Sequence, residues 1–280
     1  MTKTLKSIIQ TFKYEEDDGL VKIGDNVKIS KPSKSVRSSS RSSSRSSSRS
    51  SPRSSPKSKR ANVDTSELPD LRHSLNSNLE VLFVGYNPGV QSSIQQHHYA
   101  HHSNLFWKLF NQSNLLEKVA VKIKSDGDDL QNLIARGCTP ADDFDLIKYD
   151  IGFSDLSLRC TQRAEDLTEA EKFDNLPRLI KEINESKARN VVLIGKGIWE
   201  VFVKYYKQQL NMKFSLTRDN FVWGEIKTGK DELYNKLIEY IYSQIPLQTT
   251  IYVFPSTSGL VASMKFPEKL KLWQDMAANI

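Results

Sequence analysis

The chain has 280 residues, a net charge of +7 and two cysteines, Cys138 and Cys160. Two thiols exclude a disulfide framework and a four-thiolate metal cluster and fit a reducing compartment. The roughly 18 consecutive apolar residues of a membrane helix do not occur, and the N-terminus has acids too early for a secretion signal, so a soluble intracellular protein is expected.

The charge is unevenly placed. Residues 31–60 hold ten Lys/Arg and no acid, and removing those ten charges from the net +7 leaves the rest of the chain at −3. Before them, within residues 1–30, KSIIQTFKY sets Ile9 and Phe12 three apart. Residues 6–13 resemble a degenerate form of the short peptide that docks on the replication sliding clamp, with Lys6 replacing the usual Gln. Next, RSSSRSSSRSSSRSSPRSSP repeats arginine at Arg37, Arg41, Arg45, Arg49 and Arg53. Such a composition cannot offset the entropy of ordering, so residues 31–65 are expected to be a disordered basic tail. The tail reads as a solubilising linker or as an electrostatic hold on nucleic-acid phosphates. PKSKR at its end suits a nuclear address, and Ser51 and Ser55 precede prolines as phosphorylation sites do. An arginine–serine repeat also suits RNA-splicing proteins.

A folded body is expected over residues 66–280. LEVLFVG (79–85) reads as a buried strand. SNLFWKLFNQSNLL (103–116) reads as a helix with Ser103 as N-cap, and KIKSDGDDLQN (122–132) as a surface loop. YDIGFSDLS (149–157) is extended, and 169–187 is a helix that Pro177 kinks or starts. NVVLIG (190–195) is a strand with a helix leaving it over 196–210. NFVWGEI (220–226) and TTIYVFP (249–255) are strands. Residues 228–248 form a helical surface elaboration, and 262–277 an amphipathic helix. Buried strands alternating with amphipathic helices predict an α/β fold: a three-layer α/β/α sandwich around a mostly parallel twisted sheet. Working residues then belong in loops beyond the strands' C-terminal ends: GYNPG (85–89), GFSDL (152–156), GKG (195–197) and PSTSG (255–259). Walker, G-x-G-x-x-G and G-x-S-x-G motifs are absent.

In order, these loops resemble the mismatch-specific uracil-DNA and thymine-DNA glycosylases. GYNPG followed by His98, Tyr99 and NLFW (104–107) is similar to that family's first motif, GFSDLSLRCT (152–161) to its second strand end, and FPSTSGL (254–260) to its last motif. The resemblance covers residues 79–280. It implies excision of uracil, and of thymine, from G·U and G·T mismatches in double-stranded DNA, in the nucleus, by a monomer without metal or cofactor. It also implies that Asn87 holds the attacking water and Tyr99 stacks on a flipped base lodged beside Gly85, Tyr86, His98, Asn104 and Thr161. Asn104 contacts the base or braces its loop, and Thr161 lies near the base's C5 edge. Lys196 suits a phosphate clamp at a helix start, with Ser256, Ser258 and Gly259 on flanking phosphates and Leu260 as the wedge.

Two residues depart from the family. Tyr86 replaces Ile, narrowing the pocket against thymine's methyl. Asp155 replaces the Asn of the animal members. It accepts from uracil N3–H but repels an anionic leaving base, unless its pKa is raised or it points away. Two other readings compete: a non-catalytic nucleic-acid binder that keeps the fold, and a metal-dependent hydrolase built on His97, His98, His101 and His102.

Overall fold

A computed structural model describes residues 64–259 and 264–280. The clamp-like segment, the five tail arginines and Leu260 lie outside the described residues.

The strands are β1 (Val81–Gly85), β2 (Ile151–Asp155), β3 (Asn190–Ile194), β4 (Gly224–Glu225) and β5 (Thr250–Phe254). They form one sheet in the order β2-β1-β3-β5-β4. All neighbours pair in parallel except β4, which lies antiparallel to β5 at the edge. The helices, in chain order, are α1 (Val90–Gln95), α2 (Phe106–Gln112), α3 (Leu115–Ile123), α4 (Asp128–Arg136), α5 (Glu169–Ser186), α6 (Lys196–Gln209), α7 (Glu232–Ser243) and α8 (Phe266–Ala278).

Side chains alternate across a strand, so each central strand feeds both faces. Leu82, Val84, Val191 and Leu193 pack with α5, α6 and α7. Val81, Phe83, Val192 and Ile194 pack with α2, α3 and α8. Both faces are covered, which gives the expected three layers. On the second face Phe83 is the hub. Its ring centroid lies 5.0 Å from Phe106, 5.7 Å from Phe153 and 5.3 Å from Trp273.

Several elements differ from expectation. The 103–116 helix is two, because Asn114 adopts a left-handed conformation (φ 56°) between α2 and α3. Ser103 does not cap it; the Asn104 side chain accepts from the Phe106 N–H at 2.9 Å instead. The 122–132 segment is not all loop. α4 begins at Asp128, and Asp128 and Asp129 in its first turn suit the positive end of a helix. α5 runs from its Thr168 cap through Pro177 to Ser186, so the proline does not start it. The 220–226 strand shrinks to Gly224–Glu225. α7 is no surface elaboration, since Tyr234, Leu237, Ile238 and Ile241 are buried and the Tyr234 hydroxyl accepts from Trp199 Nε1 at 2.7 Å.

Replacing Phe83 with Ala should cost about 3–5 kcal/mol of folding stability, since the ring is fully buried and its neighbours can collapse only in part. A urea melt with an unchanged slope and a shifted midpoint checks this.

Candidate active site

The loops beyond β1, β2, β3 and β5 are sewn together by main-chain hydrogen bonds. Leu156, Ser157 and Thr161 donate to the carbonyls of Gly85, Tyr86 and Pro88, and Leu105 donates to Thr257 O at 2.8 Å. Gly195 opens α6 with φ 125°, which glycine adopts readily, and donates to Phe254 O at 2.8 Å.

Asn87 sits half-buried in this junction. Its amide nitrogen donates to Thr161 Oγ1 at 2.7 Å and to Arg159 O at 3.1 Å. The Thr161 hydroxyl gives its own proton to Arg163 O at 2.6 Å, so towards Asn87 it must accept. That fixes which end of the amide is nitrogen and commits both its protons. The amide oxygen is left as the acceptor available to a water. Thr161, which the resemblance places near the C5 edge of a base, braces Asn87.

Tyr99 and His98 leave the same loop and stack on different core rings. Tyr99 has φ 55°, a left-handed backbone that costs a non-glycine residue about 1–2 kcal/mol. This turns its ring flat onto Phe106, with centroids 3.9 Å apart and planes 4° apart. His98 is buried and stacks on Phe153 at 5.1 Å. Its main-chain N–H and Nδ1 reach one oxygen of Asp143 at 2.7 and 2.8 Å, and His97 Nδ1 reaches the other at 2.8 Å. Burial alone would raise the Asp143 carboxyl, but these hydrogen bonds outweigh it and hold the group below the ordinary aspartate range. An ionised carboxylate only accepts, so His98 donates from Nδ1. Its Nε2 and the Tyr99 hydroxyl are buried with no hydrogen-bond partner among the described residues.

Asp155 closes the group. The register sets it opposite Gly85, and a Cβ on Gly85 would lie 2.0 Å from Asp155 Oδ1 and 3.3 Å from the Tyr99 hydroxyl. The carboxyl therefore fills the space a side chain at position 85 would need. Burial pushes its pKa up to about 6, only partly opposed by His98 and Arg178. It also pushes the Tyr99 phenol well above its usual value, with Asp155 adding to the effect. Arg178 does not neutralise Asp155. Its guanidinium is spent on the main-chain carbonyls of Asp155 and Leu156 and on Glu182.

The other anticipated residues are more dispersed. The Tyr86 ring packs with the α5–α6 face, 3.0 Å from where a Cβ on Gly197 would stand, so its bulk is spent there. Lys196 begins α6, but its ammonium lies 3.2 Å from Glu200 and 4.8 Å from the Phe221 ring centre. Asn104 braces its loop through Phe106 N. Ser256 and Ser258 are half-buried, with the Ser258 N–H donating to Ser256 Oγ at 3.3 Å, and Gly259 lies against Ser103. The four histidines do not converge: His97 and His98 turn to Asp143, while His101 stacks on His102 at 4.4 Å. Sequence reasoning missed Asp143 and Arg178. The acidic cluster ADDFD (141–145) is the available signal for the first.

Residues 73–277 match the family model of the uracil DNA glycosylase superfamily. A G/U mismatch-specific uracil DNA glycosylase of Schizosaccharomyces pombe is 27% identical over 223 residues, covering 79% of this chain and 57% of the relative. The chain thus spans a little over half the length of that relative.

The Asp155 carboxyl makes a stability prediction with a definite sign. A raised carboxyl pKa means the folded state binds more protons than the unfolded state between the ordinary value of 3.8 and about 6, so folding weakens as pH rises through that window. Asp155→Asn should raise stability at neutral pH by up to about 3 kcal/mol, with the gain vanishing below about pH 4. Urea melts of both proteins across that range measure it.

Proposed function

Because this chain belongs to the uracil DNA glycosylase superfamily, we propose that it is a monofunctional DNA glycosylase hydrolysing the bond between uracil and deoxyribose at G·U mismatches in duplex DNA. The observation that carries the reading is the Asn87 amide. Thr161 and Arg159 O hold it so that its oxygen is the free end. The relative from S. pombe, named for uracil and the G/U mismatch, supports the substrate.

A base inside the duplex hides its glycosidic bond, so the nucleotide must swing out. Tyr99 continues its stack with Phe106 by receiving the base on its other face. The Asn87 oxygen accepts a hydrogen bond from a water and so aims the water's lone pair at C1′. An amide is too weak a base to remove that proton early. The C1′–N1 bond therefore breaks ahead of attack, with its electron pair passing to the base and spreading over two carbonyls. Water then adds to the electron-poor sugar, and its proton passes to the base anion, giving the free neutral base. Donors around the base stabilise the developing charge. Thymine opposite guanine is the proposed second substrate. No Schiff-base lysine is assigned, so the product is an abasic site in an uncut strand.

Residues 66–280 would be the catalytic unit of a monomer, and the basic tail a sequence-independent hold on phosphates that also carries the nuclear address. Docking on the sliding clamp through residues 6–13 is proposed on the spacing of Ile9 and Phe12. Lys196 engages a phosphate by exchanging Glu200 for it.

Single-turnover reactions on duplexes carrying U·G, T·G or U·A, developed with alkali, test the reading. Release from U·G is expected, slowed about 10²–10⁴-fold by Asn87→Ala with DNA binding retained. Thr161→Val, which removes the brace together with its hydrogen bond to Arg163 O, should cost about tenfold. Salt-sensitive binding with no product from any duplex would make the protein a binder that keeps only the fold.

A further inference from the structure

Two buried polar groups meet at Gly85, and a third lies on the neighbouring His98 ring. The Asp155 carboxyl occupies the side-chain space of Gly85, and the Tyr99 hydroxyl points into the same space. His98 Nε2, on the ring beside Tyr99 with centroids 6.5 Å apart, is buried and, like that hydroxyl, has no partner among the described residues. Buried polar groups left in this state are costly, so the site is built for a ligand that supplies the missing partners. The charged and titratable groups around Asp155 come from every side. His98 and Tyr99 lie on the loop before α2, with Asp143 behind His98, and Arg178 and Glu182 come from α5. The single guanidinium among them is turned to main-chain carbonyls and Glu182. No ion pair to Asp155 is formed among the described residues.

We infer that Asp155 reads the extruded base as a neutral carboxylic acid, its hydroxyl donating to a base carbonyl while its other oxygen accepts from the adjacent ring N–H. This rests on the glycosylase reading and deepens it. The pairing fits a ring N–H beside a carbonyl, as on the imide edge of uracil and thymine. Cytosine meets the same acid with donor and acceptor exchanged, so its exclusion falls to its poor stability as a leaving anion.

The protonated form matters most in the transition state. As the bond to the sugar breaks, negative charge gathers on the base carbonyls. A donated proton there strengthens as the reaction proceeds, whereas a carboxylate would face that charge unscreened. Burial already favours the neutral acid, and a base that seals the pocket from water pushes in the same direction. The protonated fraction falls as pH rises, so base release slows on the alkaline side. An asparagine at this position offers a donor and an acceptor at every pH, and should remove that dependence.

The test is the single-turnover rate on a U·G duplex from about pH 5.5 to about pH 8.5 for wild type, Asp155→Asn and Asn87→Ala, with DNA affinity measured at each pH. The wild-type rate is expected to fall about tenfold or more across the range after any change in binding is removed. Asp155→Asn should be nearly flat and faster than wild type at the alkaline end. A wild-type rate flat in pH overturns the inference, as does an Asp155→Asn protein that keeps the same fall. In either case Asn87-dependent release leaves the glycosylase reading standing. No Asn87-dependent product at any pH overturns both. A thermal melt of Asp155→Asn no lower than wild type at neutral pH confirms that its rates belong to a folded protein.

Discussion

Paired residues in a parallel sheet point their side chains to the same face, so the register that sets Gly85 opposite Asp155 decides what can stand at the end of the first two strands. A residue with a Cβ at position 85 would collide with the carboxyl. Glycine leaves that volume to Asp155 and the Tyr99 hydroxyl, and its carbonyl still accepts from Leu156 to tie the loops together. Asn87, two residues on, is then close enough to the second loop for Thr161 and Arg159 O to hold its amide. One register thus places Asn87 and Asp155, the groups proposed to hold the water and read the base, at the ends of adjacent strands.

The layers behind the site account for its rigidity. Phe83, the central residue of β1, packs on Phe106 and Phe153. Phe106 in turn carries Tyr99, and Phe153 carries His98. The aromatic core therefore extends to the two residues beside Asp155. Asp143 pins His98 with two hydrogen bonds, so the ring has little freedom. Pre-organised groups of this kind cost no reorganisation during the reaction.

Much of this was legible in the sequence. The continuous apolar runs of β1, β3 and β5 allowed one reading only, and the loops at their ends carried the residues that gather in the site. What failed has physical causes. β4 is two residues long and sits at an edge, so tertiary pairing rather than its own apolar pattern sets its limits. α4 starts inside a polar stretch because acids favour a helix N-terminus. The buried face of α7 was hidden by polar residues on its other face. The roles of Thr161 and Asp143 depend on contacts between Asn87 and position 161 and between position 143 and His98, which no local pattern encodes. The four histidines suggested a metal by spacing, but a single aspartate and a stacking contact divide them.

The most direct measurement of the central claim is a crystal structure of the protein bound to a duplex with a non-cleavable 2′-fluoro-arabino-deoxyuridine opposite guanine. The account predicts uracil out of the helix and stacked on Tyr99, its N3–H and a carbonyl within hydrogen-bond distance of Asp155, and a water between the Asn87 oxygen and C1′. Uracil still paired in the duplex, with the protein touching only phosphates, would contradict it.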